Sequence, residues 1–221
     1  MTIQDWRPIW LSLQVSFTAT LFSIMVGLII AWVLAKKTFP GKNLVDALLM
    51  QPLVIPPTVL GYYLLVMFGR SSALGGWLEE WFGLTLVFTW RGAVLAATVA
   101  SMPLFIKPTR AALEGVDSQL ENAARLLGKT EWIVFRTITL PLAWRGIVAG
   151  GVMAFARAMG DFGTTLMVAG NIPGNTQTVS IAIYDAVQSG NLEQANALVL
   201  LVTVFSVGVL WFVSRFTSGR F

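Results

Sequence analysis

The amino-acid sequence predicts an all-α integral membrane protein with about five transmembrane helices. Hydrophobic residues make up 56% of its 221 residues and charged residues only 12%, whereas soluble domains are about 25% charged. Residues 8–35 and 47–69 contain no charged side chain, and a helix needs roughly 20 apolar residues to cross a bilayer. These two observations predict that the chain lies in a lipid bilayer.

Charged residues and turn-forming residues delimit the predicted spans. The third span is interrupted by Arg91, but an arginine near the end of a span can reach the interface. The first apolar stretch is too long for a signal peptide and lacks its basic flank, so we expect it to be retained. The spans are 9–35, 44–69, 88–107, 142–169 and 193–214, forming one domain at 9–214, with a shorter interfacial or re-entrant helix at 179–188.

The basic residues predict the orientation of the spans. With five spans, eleven of the 15 Lys and Arg residues fall on one side, three fall on the other, and Arg157 lies within the membrane. Because cytoplasmic loops carry an excess of Lys and Arg, we expect the N-terminus outside and the C-terminus in the cytoplasm. This distribution also explains the net charge of +4 without a nucleic-acid partner.

Small and polar residues follow one face of the first span at intervals of three or four. They are Ser12, Ser16, Thr20, Ser23 and Gly27. Small residues at this spacing allow helix backbones to approach closely in lipid. We interpret the face as a packing seam, with a polar lining of a pathway as the alternative.

The second span contains three prolines, Pro52, Pro56 and Pro57. Proline removes a helical hydrogen bond and clashes with the preceding turn, so the helix must kink or break. Free backbone groups at membrane depth are tolerated only where protein or a water-filled cavity satisfies them. The prolines therefore indicate either a structural kink or a break that lines a pathway.

The fourth span carries Arg157 and Asp161, which share a helical face and can pair. Gly160 and Gly163 permit a bend beside them. Charges inside a membrane are costly and mark candidate functional sites. One interpretation is an ion pair that only fixes helix packing, and the other is a role in gating or in the field felt by an anionic substrate. The full set of pathway or gating candidates is Pro52, Pro56, Pro57, Arg157, Gly160, Asp161 and Gly163.

The predicted cytoplasmic loop at 114–141 has the most specific pattern. Ser118 and Glu121 have the spacing of a capping box, and Gly128 is placed to end the helix that follows. The apolar stripe of this helix consists of Leu120, Ala123, Ala124 and Leu127. A second short helix is predicted from residue 130 until Pro141 stops it. Two helices joined by a glycine turn are expected to dock onto a partner.

The sequence offers little catalytic chemistry. It contains no cysteine and no histidine, which excludes thiol nucleophiles, His-based triads and imidazole metal sites in this chain. Gly128, Lys129 and Thr130 resemble the end of a phosphate-binding loop, but Ala123 occupies the position of its first glycine and a helix precedes it. An intramembrane Ser–Lys enzyme is the remaining enzymatic alternative, although every lysine lies in a loop or at a membrane edge.

The loop resembles a motif of the membrane subunits of ABC importers. That motif reads Glu-Ala-Ala, three residues, Gly, nine residues and Ile-x-Leu-Pro. The residues at its positions are Asn122, Ala123, Ala124, Gly128, Ile138, Leu140 and Pro141, with Glu121 one residue before the glutamate position. The resemblance implies that these residues and Glu121 form a coupling helix in a cleft of an ATPase subunit. We interpret Glu121 as the partner of Ser118 in the capping box. The alternative is that Glu121 takes the role of the glutamate in the family motif.

Further segments resemble the molybdate-importer permeases in particular. They are 39–42, 52–57, 89–92, 113–117, 155–163 and 171–174. The resemblance implies a type I ABC importer transmembrane domain that passes molybdate, with sulfate or tungstate permeases as sister groups. It also implies a homodimer, two cytoplasmic ABC ATPases, a periplasmic molybdate-binding protein, and ATP bound by the ATPase, so that this chain itself carries no cofactor. A passive anion channel is the alternative outside this class.

Overall fold

A computed structural model describes residues 6–217, and in this part of the chain the regular structure is helical, with no strand. The α-helices are α1 (Arg7–Lys36), α2 (Lys42–Met50), α3 (Pro57–Phe68), α4 (Ala73–Phe82), α5 (Trp90–Glu114), α6 (Ser118–Leu126), α7 (Glu131–Val134), α8 (Leu140–Met159), α9 (Gly163–Ala169), α10 (Val179–Gln188) and α11 (Leu192–Thr217). A 3₁₀ turn at Gln51–Leu53 follows α2, and a π-helical segment at Phe135–Thr139 joins α7 to α8. The all-α prediction is confirmed.

The described helices contain four stretches that are long and apolar enough to cross a membrane. These stretches are Arg7–Lys36, Trp90–Glu114, Glu131–Met159 and Leu192–Val209. A fifth crossing is obtained when α2 with its 3₁₀ turn is counted together with α3 as one bent span. The number then agrees with the five predicted spans.

The small-residue face of α1 packs against α5. All five residues of the predicted stripe are buried. The Oγ atoms of Ser23 and Ser101 lie 3.4 Å apart, and a Cβ on Gly27 would lie 2.6 Å from a ring carbon of Phe105. The packing-seam interpretation is therefore confirmed.

The opposite side of α5 receives α8, again through glycines. A Cβ on Gly146 would lie 2.3 Å from Cβ of Ala112, and one on Gly150 would lie 2.8 Å from the carbonyl oxygen of Phe105. The absence of side chains at these positions allows the two backbones to approach closely, as is common in lipid. Helices α1, α5 and α8 thus form the centre of the described fold.

The second span is broken rather than gently kinked. The helix axis bends by 111° between its two halves. Pro56 precedes α3 in an extended conformation and Pro57 is the first residue of α3. Proline is favoured at a helix start because the N–H it lacks would have no partner inside the helix. The prolines therefore end one half and begin the other.

One predicted helix boundary near the loop is wrong. Pro141 does not stop the second loop helix, because α7, the π segment and α8 form one continuous stretch from Glu131 to Met159. The wider π turn directly before Pro141 makes room for a ring that would clash in an α-helical turn. The helix α5 continues past the end of the predicted span at 107, through Pro108 to Glu114.

The fourth span also differs from its prediction as one helix. It begins earlier, at the loop helix, and is interrupted at 160–162, where α8 ends and α9 begins. The predicted bend at Gly160 and Gly163 is thus a complete break. The segment predicted at 179–188 is the helix α10, which packs against α11 and α1.

The contact between α5 and α8 predicts opposite effects for two neighbouring glycines. We expect Gly150→Ala to lower the free energy of unfolding by about 1–3 kcal/mol, because its Cβ would overlap the α5 backbone. Gly151→Ala is the matched control, since its Cβ would lie 3.6 Å from the Ile24 side chain, and alanine gains about 0.5–1 kcal/mol of helix propensity over glycine. Denaturant unfolding in detergent micelles measures both, and equal stabilities of the two variants would contradict the packing.

Candidate functional site

The helix α6 begins in a way that differs from the predicted capping box. The carboxylate of Asp117 accepts a hydrogen bond of 2.8 Å from the N–H of Gln119, so Asp117 is the N-cap and Ser118 the first helical residue. Aspartate caps a helix at least as well as serine. The prediction that Glu121 is the capping partner is therefore wrong, and its carboxylate is available for other contacts.

The helix α6 ends at a glycine turn, as its sequence predicts. Gly128 has φ of +77° and follows the C-cap residue Leu127. The N–H of Gly128 donates to the carbonyl of Arg125 at 2.9 Å, and the N–H of Lys129 donates to that of Ala124 at 3.1 Å. These two bonds form a Schellman motif, which favours glycine because of the positive φ. The direction in which the chain leaves α6 is thereby fixed.

The loop presents a group of large apolar side chains that its own chain does not cover. Leu126 and Leu127 are 90% and 80% exposed, and Trp132 is 67% exposed. Together with the half-exposed Leu120 they form what we call the docking tip. Of the apolar stripe predicted on α6, Leu120, Ala123 and Leu127 are exposed and Ala124 is half-buried. Exposed apolar clusters of this kind mark sites of interaction with proteins or membranes.

Polar contacts join α6 to the following helix beside the docking tip. The Arg125 guanidinium donates to both carboxylate oxygens of Glu131, at 2.7 and 3.2 Å, and to Oδ1 of Asn122 at 2.7 Å. The hydrogen bond from Arg125 to Glu131 raises the pKa of Arg125 above its usual value. Asn122 at the family's glutamate position is exposed and bound to Arg125.

The other predicted coupling residues differ in exposure. Ala123 and Pro141 are exposed, whereas Ala124, Ile138 and Leu140 are half-buried. Glu121 is buried and its carboxylate contacts Lys36 and Thr139 of its own chain. The structure thus gathers these residues around the start of the fourth span, with Glu121 pointing inward.

A second site lies where the fourth span is broken, and Asp161 is its centre. Its Oδ1 accepts hydrogen bonds from Nη1 of Arg157 at 2.9 Å and from the Thr164 hydroxyl at 3.1 Å. Its Oδ2 accepts from the N–H and the hydroxyl of Thr165 at 2.9 and 2.7 Å. The predicted pairing of Arg157 with Asp161 is confirmed. The carboxylate also satisfies a backbone donor at the start of α9 that has no partner within the helix.

The two broken spans meet at this point. A Cβ on Gly163 would lie 3.0 Å from Cβ of Pro57, and a Cβ on Gly61 would lie 2.6 Å from Cβ of Met167. We call the contact between the start of α3 and the start of α9 the break junction. Of the other candidates, Pro56 is the N-cap of α3, Gly160 ends α8, and Pro52 lies in the 3₁₀ turn on the far side of the bend.

Sequence reasoning missed several residues of these sites. Thr164 and Thr165 were detectable, because an aspartate directly before an apolar helix is an N-terminal capping signal. Gly61 has a local signal only as a glycine inside a helix, which often has a packing reason. Lys36 and Thr139 have no signal in the sequence that points to this site, since Lys36 is 85 residues from Glu121.

Comparisons with known proteins give a consistent result. Residues 23–219 match the family described as binding-protein-dependent transport system inner membrane component. The molybdenum transport system permease protein ModB of Escherichia coli K12 is 50% identical over 204 residues, which are 92% of this chain and 89% of that protein. ModB of Haemophilus influenzae is 42% identical over 95% of this chain and 92% of its own length. The sulfate transport system permease protein CysT of Escherichia coli K12 is 32% identical over 92% of this chain and 73% of its own length.

Solved structures share the fold at low sequence identity. A bacterial ABC transporter involved in the import of the acidic polysaccharide alginate has a TM-score of 0.78 at 16% identity, over 98% of this chain and 80% of that chain. The inward-facing MetNI methionine ABC transporter has a TM-score of 0.71 at 18% identity, over 96% and 93% of the two chains. The fold of this chain is that of an ABC transporter membrane subunit. The chain belongs to the family of inner membrane components of binding-protein-dependent transport systems.

Proposed function

We propose that this chain is the permease subunit of an ATP-driven ABC importer that moves molybdate across the bacterial inner membrane. The observation that carries the proposal is 50% identity to a molybdenum transport permease over 92% of the chain. The sulfate permease relative is more distant, at 32% identity. Sulfate and tungstate are therefore the competing substrates.

The docking tip is the proposed contact with a separate ATPase. In this proposal the tip lies in the cytoplasm, and the coupling residues are Glu121, Asn122, Ala123, Ala124, Gly128, Ile138, Leu140 and Pro141. Among these, Asn122 and Ala123 are exposed beside Leu126 and Leu127. An apolar tip of this size is stabilised when a partner cleft removes it from water. ATP binds and is hydrolysed in that partner, so this chain needs no cofactor and catalyses no reaction itself.

The break junction is the proposed lining of the translocation pathway. Its candidates are Pro52, Pro56, Pro57, Arg157, Gly160, Asp161 and Gly163. Irregular backbone at membrane depth is tolerated where it is buried in protein or lines a water-filled cavity, and broken helices commonly form transport sites. Two copies of the chain would enclose the pathway, and a periplasmic binding protein would deliver the oxyanion. Closure of two ATPases would draw the two docking tips together and open the pathway outward as a rigid-body motion.

The charges of the described spans support a pathway that passes the oxyanion rather than one that traps it. Arg157 is the basic residue at the break junction, and it is already paired with Asp161. A dianion held tightly would need several unpaired donors or cations. Selectivity is therefore assigned to the binding protein.

The glycine turn after α6 predicts a loss of coupling when it is strained. We expect Gly128→Val to lower ATP-dependent molybdate uptake by about tenfold or more, because a branched side chain at positive φ costs on the order of 1–3 kcal/mol. Gly83→Val is the matched control, since Gly83 also has positive φ and open space around its Cβ but caps α4 at the other end of α5. Uptake is measured in vesicles with the partner ATPase and the binding protein. Uptake that is independent of ATP, or equal in the two variants, would contradict the proposal.

The substrate assignment predicts the order of competition. In the same vesicles, unlabelled molybdate should reduce uptake of labelled molybdate at lower concentration than sulfate does, because the relatives named for molybdenum are the more similar ones. Tungstate is the third competitor, and because all three oxyanions are dianions, the order of competition does not reflect charge alone. The isolated permease should bind molybdate far more weakly than the binding protein does. Comparable affinities would show that the permease itself selects the ion.

A further inference from the structure

We propose that Lys36, Glu121 and Thr139 form a clamp that makes α6 move as one body with α1 and the fourth span. In the importer proposed above, on which this inference rests, the clamp transmits motion of the ATPase from the docking tip to the spans. The three residues are positioning residues, since none of them needs to touch the ATPase or the transported ion.

The clamp is built around the Glu121 carboxylate. Nζ of Lys36 lies 2.9 Å from one carboxylate oxygen and 3.0 Å from the other. The hydroxyl of Thr139 donates to the first of these oxygens at 2.6 Å. The Glu121 side chain is only 5% exposed, that of Lys36 is 19% exposed, and Thr139 is buried. Hydrogen bonds between charged groups are about twice as strong as those between neutral groups, and burial reduces their screening.

The three residues belong to three separate segments. Lys36 is the last residue of α1, Glu121 lies in the first turn of α6, and Thr139 ends the π segment that leads into α8. These segments are far apart in sequence, and the carboxylate joins all of them at one point. Short π segments are frequent at functional sites. Here the segment carries the hydroxyl that completes the clamp.

The Glu121 carboxylate is the main buried contact between α6 and the rest of the described chain. Among the nine residues of α6, all of which the structure describes, Glu121 is the one that is buried. The large apolar side chains beside it, Leu120, Leu126 and Leu127, are exposed. Apolar packing therefore does little to fix α6 against its own chain, and the clamp provides its orientation together with the exposed Arg125–Glu131 pair. A buried charged pair of this kind favours one specific geometry over alternatives.

The proposal changes the role of the glutamate in this loop. Glu121 is one residue before the glutamate position of the family motif, and its side chain points into its own subunit. The exposed Asn122 is held by Arg125. We infer that Glu121 fixes how α6 is held, while its neighbours provide the contact surface.

Charge exchange tests the clamp in the assembled importer. The readout is the number of molybdate ions imported per ATP hydrolysed in proteoliposomes that contain the permease, its ATPase and the binding protein. We expect Glu121→Gln and Lys36→Met to lower this ratio by about tenfold, within the usual range of coupling between sites. The double variant Lys36→Glu with Glu121→Lys should restore part of it, because the total length of the pair is kept and the Thr139 hydroxyl can also accept a hydrogen bond. Full recovery is not expected, since Arg125 lies 4.0 Å from the Glu121 carboxylate and would repel a lysine there.

Matched controls remove a charge at the same end of the molecule without touching the clamp. Lys42→Met removes a half-buried lysine whose side chain donates to the backbone carbonyl of Lys37. Glu114→Gln removes a carboxylate that pairs with Arg110 at the surface. Both should keep the wild-type ratio. A clamp variant with the wild-type ratio, or a charge-exchanged variant no better than the single ones, would overturn the proposal.

A second measurement is independent of transport. The chain contains no cysteine, so spin labels can be attached at Ile29→Cys on α1 and Leu127→Cys beside α6. The distance distribution between the labels should be narrow in the otherwise unchanged chain and clearly broader with Glu121→Gln. An equally narrow distribution would overturn the clamp. If the unchanged complex imports no molybdate, the proposed function fails, but this distance measurement still decides whether the clamp exists.

Discussion

The constraint behind this fold is that a bilayer offers no water to backbone groups whose helical hydrogen bonds are missing. Both broken spans obey it through side-chain chemistry at the break. Pro56 and Pro57 bring no N–H groups to the start of α3, so fewer donors need partners there. At the start of α9, Asp161 accepts from the backbone N–H of Thr165. The two breaks can therefore lie side by side, and irregular backbone is brought together at one place.

At the other end of the molecule, different interactions hold the helices in place. Around α6 the contacts are ionic and directional, as in the pairs of Glu121 with Lys36 and of Arg125 with Glu131. Exposed salt bridges contribute little to stability, but a buried one fixes geometry. The apolar side chains of this region remain uncovered. The spans are thus assembled by close backbone packing, whereas the loop is oriented by charge and leaves its apolar surface exposed.

The sequence predicts correctly those features that depend on residues close together in the chain. It does not predict contacts between residues that are far apart in the chain. The small-residue face of α1, the prolines of the second span and the turn at Gly128 each act through nearby atoms, and the structure has them as expected. The role of Glu121 was wrong, because a capping box and a contact with Lys36 use the same carboxylate and only the fold decides between them. The sequence predicts that Pro141 ends a helix, and this is wrong because the π segment before it leaves no pattern in the sequence.

The two leucines at the end of α6 have a consequence for how the subunit is made in the cell. A newly inserted chain carries Leu126 and Leu127 almost fully exposed, and such apolar clusters favour aggregation until they are covered. In the importer proposed above, synthesis of this subunit would have to be balanced with synthesis of the ATPase that covers the leucines. Proteases and chaperones would recognise chains produced in excess by the exposed Leu126 and Leu127. The surface that permits assembly would thus also mark a subunit that has not been assembled.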